Sequence, residues 1–213
     1  MTAASQSVDR LRNRPQQARS RARLEKVLAA ADDLLAREGA DAITTTRVAA
    51  EAGVSIGSLY HYLPDRDAIL HALALRYLSG FEAQMQQFVL RAKELRWDDL
   101  VGTVLDGYAA AYREQPGFRA LWFGRHLSER TWEADRAHKQ AMSAGLHQLL
   151  LAFGVPDDNM LPARCRAAHL AADALVQEAF RTDPNGDDAL LGECKVMLAH
   201  YLEVARRGQS RGE

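Results

Sequence analysis

The stretch EAGVSIGSLYHYLPDR, residues 51–66, sets two glycines, two serines, two tyrosines and a histidine between two runs of helical period. Three local structures fit it. They are the nucleophile elbow of a hydrolase, whose G-x-S-x-G pattern Gly53-Val54-Ser55-Ile56-Gly57 matches; the turn and second helix of a helix-turn-helix; and a capped junction between two packed helices. An elbow needs a strand before its serine, because the strained strand-to-helix turn is what exposes the hydroxyl. The preceding residues RVAAEA have no strand character, and no β/α alternation surrounds them to bring an acid and a histidine to Ser55. The elbow is therefore set aside.

The flanks are helical. Upstream, from Arg19, the residues Leu24, Val27, Leu28, Ala31, Leu34 and Leu35 form one apolar stripe while Arg23, Lys26, Asp32 and Asp33 turn away, and Gly39 stops the run. Thr44 or Thr45 can cap a short second helix with Val48, Ala49 and Ala52 on its apolar face, and Gly53 suits its left-handed end. Ser55 can cap IGSLYHYL, with Ile56, Leu59 and Leu63 inward, until Pro64 interrupts. Asp65 is a good cap for a fourth helix, where Ile69, Leu70, Leu73, Tyr77, Phe81, Met85 and Phe88 keep the period almost to Arg96. Ala49 and Ala52 let two helices approach, and Val54 can plug the gap at the turn. Ser58, Tyr60, His61 and Tyr62 stand where a purely structural helix would carry Glu and Lys, and they can reach base edges, thymine methyls or phosphates, with Arg66 beyond them for the backbone. A helix-turn-helix accounts for more of these residues than a plain junction, in which Tyr60 or Tyr62 is a core aromatic and His61 a spectator; both remain compatible with the pattern.

Downstream the pattern stays helical. Asp98 is expected to cap a helix carrying Leu100, Val101, Val104, Leu105, Tyr108, Ala109 and Tyr112, followed by a short aromatic helix in FRALWFGRHL and a long one from Ser128 to Phe153. Leu161 to Phe180 and Ala189 to Val204 complete the set, with TDPNGD as the turn between them. The fold class is all-α with about nine helices. Residues 1–18 are expected to be a flexible basic arm, 19–66 a three-helix domain that is DNA-binding if the helix-turn-helix reading holds, and 67–208 a larger helical domain.

Composition narrows the function classes. With 213 residues, 47 % apolar and only six prolines, the chain can bury a core. A net charge of −1 hides an asymmetry: residues 1–26 hold seven Arg or Lys against two acids, a balance of +5, and the other 187 residues carry −6. Such an arm can meet a phosphate backbone, although a solubilising tail looks the same. Cys165 and Cys194 lie in no metal or redox spacing, and the seven histidines show no paired ligand pattern. Neither a secretion signal nor a membrane span is visible, so a cytoplasmic location is expected, with no membrane partner. Phosphate-loop, dinucleotide and zinc-protease motifs are absent, so no enzyme activity, catalytic residue, metal or cofactor is expected.

Thr44, Val48, Ala49, Ala52, Gly53, Val54, Ser55, Gly57, Leu59, Tyr60, Tyr62, Arg66 and Ile69 together resemble the N-terminal pattern of the tetracycline-repressor-like (TetR) transcriptional regulators. The likeness spans residues 20–70. Leu63 stands where the family usually has phenylalanine, keeping the apolar role, and Arg66 stands for a lysine, keeping the charge but changing the donor geometry. The resemblance implies phosphate contacts from Thr44, Thr45, Thr46 and Arg47, entry of Ser55, Ile56, Gly57, Ser58, Tyr60 and His61 into the major groove of double-stranded DNA, and backbone contacts from Tyr62 and Arg66. It also implies that residues 67–208 form an effector-binding and dimerisation domain, with a homodimer joined through residues 161–180 and 189–204, reading a palindromic operator, as a repressor released by a small-molecule effector. A transcriptional activator or a ligand-independent DNA-binding protein is the alternative. Tyr108, Tyr112, Phe118, Trp122, Phe123, His126, Met142, His147 and Phe153 are the side chains best suited to line an effector pocket, and a mostly aromatic lining suits a hydrophobic or aromatic effector. At helical spacing the same residues also read as plain core.

Overall fold

The computed structural model describes residues 3–124 and 127–207, with side chains from residue 19 onward. Among the described residues there are nine α-helices and no strand: α1 (Ala3–Glu38), α2 (Thr45–Ala52), α3 (Ile56–Tyr60), α4 (Arg66–Leu90), α5 (Trp97–Glu114), α6 (Pro116–Trp122), α7 (Glu129–Ala152), α8 (Leu161–Thr182) and α9 (Asp188–Arg207). They divide into two compact units, Met1–Leu73 and Ala74–Glu213. The division falls inside α4, whereas the sequence places a boundary at the start of that helix.

In the first unit the apolar stripe of α1 is buried as its period requires, with Val27, Leu28, Ala31, Leu34 and Leu35 packed against Val48, Ala49, Ala52 and Leu59 in one small core. Side-chain caps start the short helices. Thr44 Oγ1 accepts from the Arg47 amide at 3.2 Å, Ser55 Oγ from the Ser58 amide at 3.2 Å, and Asp65 Oδ1 from the Ala68 amide at 2.7 Å. Gly53 closes α2 in the left-handed region (φ 61°, ψ 38°). Its amide donates to Ala50 at 3.1 Å while the Val54 amide donates to Ala49 at 3.0 Å, the paired bonds of a Schellman turn. A β-carbon at this φ is strained, so Gly53→Ala is expected to lower unfolding free energy by roughly 1–2 kcal/mol. Equal urea midpoints for the two proteins would contradict that.

Four local features depart from the sequence expectation. Helical backbone takes in residues 3–18, assigned above to a flexible arm: no glycine interrupts Ala3–Glu38, and Ala, Gln and Arg favour the helix around Pro15. α3 stops at Tyr60 instead of reaching Leu63, since Pro64 disfavours helical geometry in the residue before it, and the chain tightens so that Tyr62 and Leu63 amides both donate to the Leu59 carbonyl. Ile56 is 39 % exposed, so Leu59 and Leu63 alone carry the inward face. α4 ends at Leu90, followed by a 3₁₀ turn at Ala92–Glu94; α5 then starts at Trp97, with Arg96 at the cap position and Asp98 in the first turn, where its charge meets the positive helix end.

The second unit is held by α7 on α8, α8 on α9 and α5 on α9. Its centre is aromatic. Phe81 stacks on Tyr108 (5.1 Å, 22°), Tyr112 on Phe180 (5.0 Å, 26°), and Phe118 meets Tyr112 edge-on at 5.0 Å. No helix among the described residues is long and apolar enough to cross a membrane.

Candidate nucleic-acid interface and effector cavity

α3 turns one side inward and leaves the other unused by its own domain. Leu59 is fully buried, while Ser55, Ile56, Gly57, Tyr60 and His61 are exposed. Tyr60 is 50 % exposed, and its hydroxyl lies 3.3 Å from Thr45 Oγ1, so its ring stands outward on a polar tether from α2. Gly57 has ordinary backbone angles, and an added β-carbon there would meet no atom within 4 Å. Nothing inside the domain asks for glycine at this position. Thr44, Thr46 and Arg47 are exposed at the start of α2, and Thr45 and Ser58 are half-buried beside them.

Two of the expected backbone contacts are engaged within the domain. Tyr62 is half-buried and its hydroxyl accepts from Ser20 Oγ at 3.0 Å, fastening the end of the recognition segment to α1. Arg66 Nη2 donates to the Ala40 carbonyl at 2.9 Å and lies 3.7 Å from Asp41, tying the start of α4 to the turn after α1. Arg47 Nη2 donates to both carboxylate oxygens of Glu38 (2.8 and 2.9 Å), an exposed pair that can be exchanged for a phosphate at little cost. A basic edge also appears that the site expectation omitted. Arg19, Ser20, Arg21, Arg23 and Leu24 of α1 share one open groove with His61 and Tyr62, which brings the N-terminal positive run beside the recognition segment. The signal was in the charge count, but only the fold shows which side of the domain the run borders.

The expected effector residues scatter. Tyr112, Phe118 and Trp122 pack on one another or on Phe81 and Phe180 as core rings, and Met142 is fully buried. Phe123 lies under the Arg181 guanidinium at 5.1 Å, and Phe153 meets Trp97 edge-on at 5.8 Å. His147 Nε2 pairs with Asp157 at 2.9 Å beside an open groove between α7 and α8. His126 lies outside the described residues. Among the described members of the set, Tyr108 alone borders the apolar cavity of the second unit, which is walled by Met85 of α4, Leu100, Val104 and Leu105 of α5, His169 of α8, and Leu198 and Leu202 of α9, among others. Aromatic residues stand out in the sequence and this aliphatic wall does not; the one local signal for it is a histidine set in the alanine-rich run AAHLAA.

Next to His169 runs a partly buried polar seam. Lys139 Nζ bridges Asp135 at 2.8 Å and Asp173 at 3.2 Å, and His138 Nδ1 meets Glu82 at 2.9 Å. Burial pulls the His169 imidazole down to about 4; Asp173 and Asp135 favour its protonated form, while His138 and Lys139 oppose it. The folded value lies below the ordinary 6.5, so the folded state binds fewer protons between these values. The contribution of a neutral His169 is therefore present above pH 6.5 and lost as pH falls towards 4, on the order of 2–3 kcal/mol. His169→Asn should flatten the difference in urea stability between pH 7 and pH 4.5 relative to the unsubstituted protein. Parallel pH profiles would contradict it.

Comparison with known proteins covers both units. Residues 27–73 match the family described as bacterial regulatory proteins, tetR family, and residues 95–205 match the tetracyclin repressor-like C-terminal domain. An uncharacterized HTH-type transcriptional regulator of Haemophilus influenzae is 35 % identical over 63 residues, 30 % of this chain and 34 % of that protein, so the chain matches about a third of that relative's length. A TetR-family transcriptional regulator from Streptomyces coelicolor superposes with a TM-score of 0.64 at 32 % identity, covering 86 % of this chain and 99 % of that one. A TetR transcription regulator from Haloarcula marismortui (TM-score 0.68, 18 % identity, 86 % and 97 % covered) and SmeT in complex with triclosan (0.59, 19 %, 86 % and 90 %) share the fold. A helix-turn-helix with an outward recognition face, a second all-helical unit, and family matches to both make this chain a member of the TetR family of DNA-binding transcriptional regulators.

Proposed function

We propose that the protein is a homodimeric repressor that reads a palindromic operator through α3 and releases it when a small hydrophobic or aromatic effector enters the second unit. The observation that carries the DNA half is the outward face of α3, where Gly57 lacks an internal reason and Tyr60 stands half exposed. Ser55, Ile56, Gly57, Ser58, Tyr60 and His61 enter the major groove, and Thr44, Thr45, Thr46 and Arg47 take phosphates. Tyr62 and Arg66 set the angle of this segment through Ser20 and Ala40, beside whatever backbone contact they make. Arg19, Arg21 and Arg23 add phosphate contacts from α1.

The dimer half is supported by the outer sides of α8 and α9. Leu170, Met197, Tyr201 and Val204 are exposed, with Ala163, Ala167 and Ala174 aligned beside Leu170. A monomer gains nothing from such a face, whereas a twofold pair would bury it and place two recognition helices on one palindrome. The effector half is supported by the apolar cavity, and a neighbour of this fold is described in complex with triclosan.

Selection of bound duplexes from a random pool, repeated with an organic extract of cells, tests the whole. A palindrome should be enriched, its binding should weaken steeply with salt, and the extract should reduce it. Enrichment of an isolated half-site would remove the dimeric reader, and enrichment indifferent to every extract fraction would remove the effector.

A further inference from the structure

The cavity walls are hydrocarbon with two exceptions. These are the side chains of Tyr108 and His169, whose Oη and Nε2 are buried and meet no hydrogen-bond partner among the described residues. Buried polar atoms are ordinarily paired, so two orphans on the wall of one cavity mark a place where a partner is missing. A water held there would find only these two polar groups, at the low end of what a buried water needs.

Charge narrows the missing partner. Burial pushes the Tyr108 phenol well above its ordinary value, helped by the Asp173 and Glu82 charges, and holds His169 neutral, so both offer uncharged groups at pH 7. The ionised side chains nearby set one Lys139 against both Asp135 and Asp173, a net negative group, so an incoming carboxylate would be buried against like charge, and an ammonium would shed its hydration on a wall that is otherwise hydrocarbon. Size narrows it further. The cavity holds about 50 Å³, against roughly 300–1,000 Å³ for usual ligand pockets, so the ligand must displace part of the wall. Met85 is the side chain best able to yield: it is unbranched, and its Cγ packs where Gly145 has no side chain, at a point where a β-carbon would come within 2.5 Å.

We infer that this cavity takes an uncharged, largely hydrocarbon ligand with a single hydroxyl head group, which accepts from Tyr108 Oη–H and pairs with His169 Nε2. A hydroxyl can serve either tautomer of the ring, donating to a bare Nε2 or accepting from a protonated one. The inference rests on the effector-binding role proposed above and specifies its chemistry.

The test uses three probes of one shape, 4-butylphenol, butylbenzene and 4-butylbenzoate, titrated calorimetrically at pH 7 into the full chain and into Tyr108→Phe and His169→Leu. The phenol should bind about three- to tenfold more tightly than the hydrocarbon, and the benzoate should not bind. In each variant the phenol's advantage should shrink towards unity while butylbenzene affinity holds, a pattern that general loosening of the fold would not give. Equal affinity for phenol and hydrocarbon, tight benzoate binding, an advantage that survives both substitutions, or no binding by any probe would overturn the inference. Operator binding is read in parallel. The expected probe pattern with operator affinity unchanged upholds the cavity chemistry and removes the effector role, whereas operator release by phenol and hydrocarbon alike keeps that role and overturns the hydroxyl requirement.

Discussion

Glutamates in place of Met197 and Val204 are expected to leave a folded monomer whose operator affinity is lower by at least about 100-fold, because each would be buried uncompensated in a twofold interface. Both side chains are exposed in the single chain, Val204 by 58 %, so neither substitution disturbs the core formed by Leu191, Cys194, Leu198 and Leu202 on the opposite side of α9. In the proposed twofold pair each new carboxylate would be presented twice to a face rich in alanine and leucine, which cannot pair with it. A monomer then meets only one half-site and loses the second, linked contact. Sedimentation equilibrium reads the oligomeric state, and circular dichroism confirms the helices. A double variant that still sediments as a dimer at micromolar concentration would place the interface elsewhere.

Gly57→Ala is expected to separate stability from function. Alanine is the better helix former by roughly 0.5–1 kcal/mol, and the free domain offers the methyl open space, so the unfolding midpoint should rise slightly. Operator affinity should nonetheless fall by about tenfold or more, since a β-carbon on the outward face of α3 holds the helix away from the groove floor. The same face carries Ile56 and Tyr60, which need close approach to reach base edges or thymine methyls. Unchanged operator affinity in a stabilised Gly57→Ala protein would mean that this side of α3 does not touch DNA.

The N-terminal unit was legible because its signals are local. Thr44, Ser55 and Asp65 cap helices from within a few residues, Gly53 supplies a left-handed turn, and the α1 stripe is set by a 3.6-residue period. Ile56 was misplaced inward because period alone cannot say where a five-residue helix meets its core; Leu59 and Leu63 suffice. Arg66 shows the same limit for charge. Its bond to the Ala40 carbonyl joins residues 26 apart, which no local pattern announces.

In the second unit the helices were legible and the cavity was not. Aromatic residues suit pocket walls by their chemistry, yet Tyr112, Phe118 and Trp122 satisfy one another as edge-on and tilted rings. The free space lies instead among Leu100, Val104, Leu105, Leu198 and Leu202, where branched aliphatic chains from α5 and α9 meet without interlocking fully. That outcome depends on which faces of distant helices come together. His169 marks the spot only once α8 is known to turn it inward.

The operator affinity of Tyr60→Ala, compared with that of the unsubstituted protein over a salt series, tests most directly whether α3 reads DNA. Tyr60 is half exposed and outside the core, so the melting transition should not move. The expected result is a loss of roughly 1–3 kcal/mol in operator binding, with the salt slope unchanged because no charge is removed and with weaker discrimination against altered half-sites. Equal affinity and equal discrimination in the two proteins would contradict it.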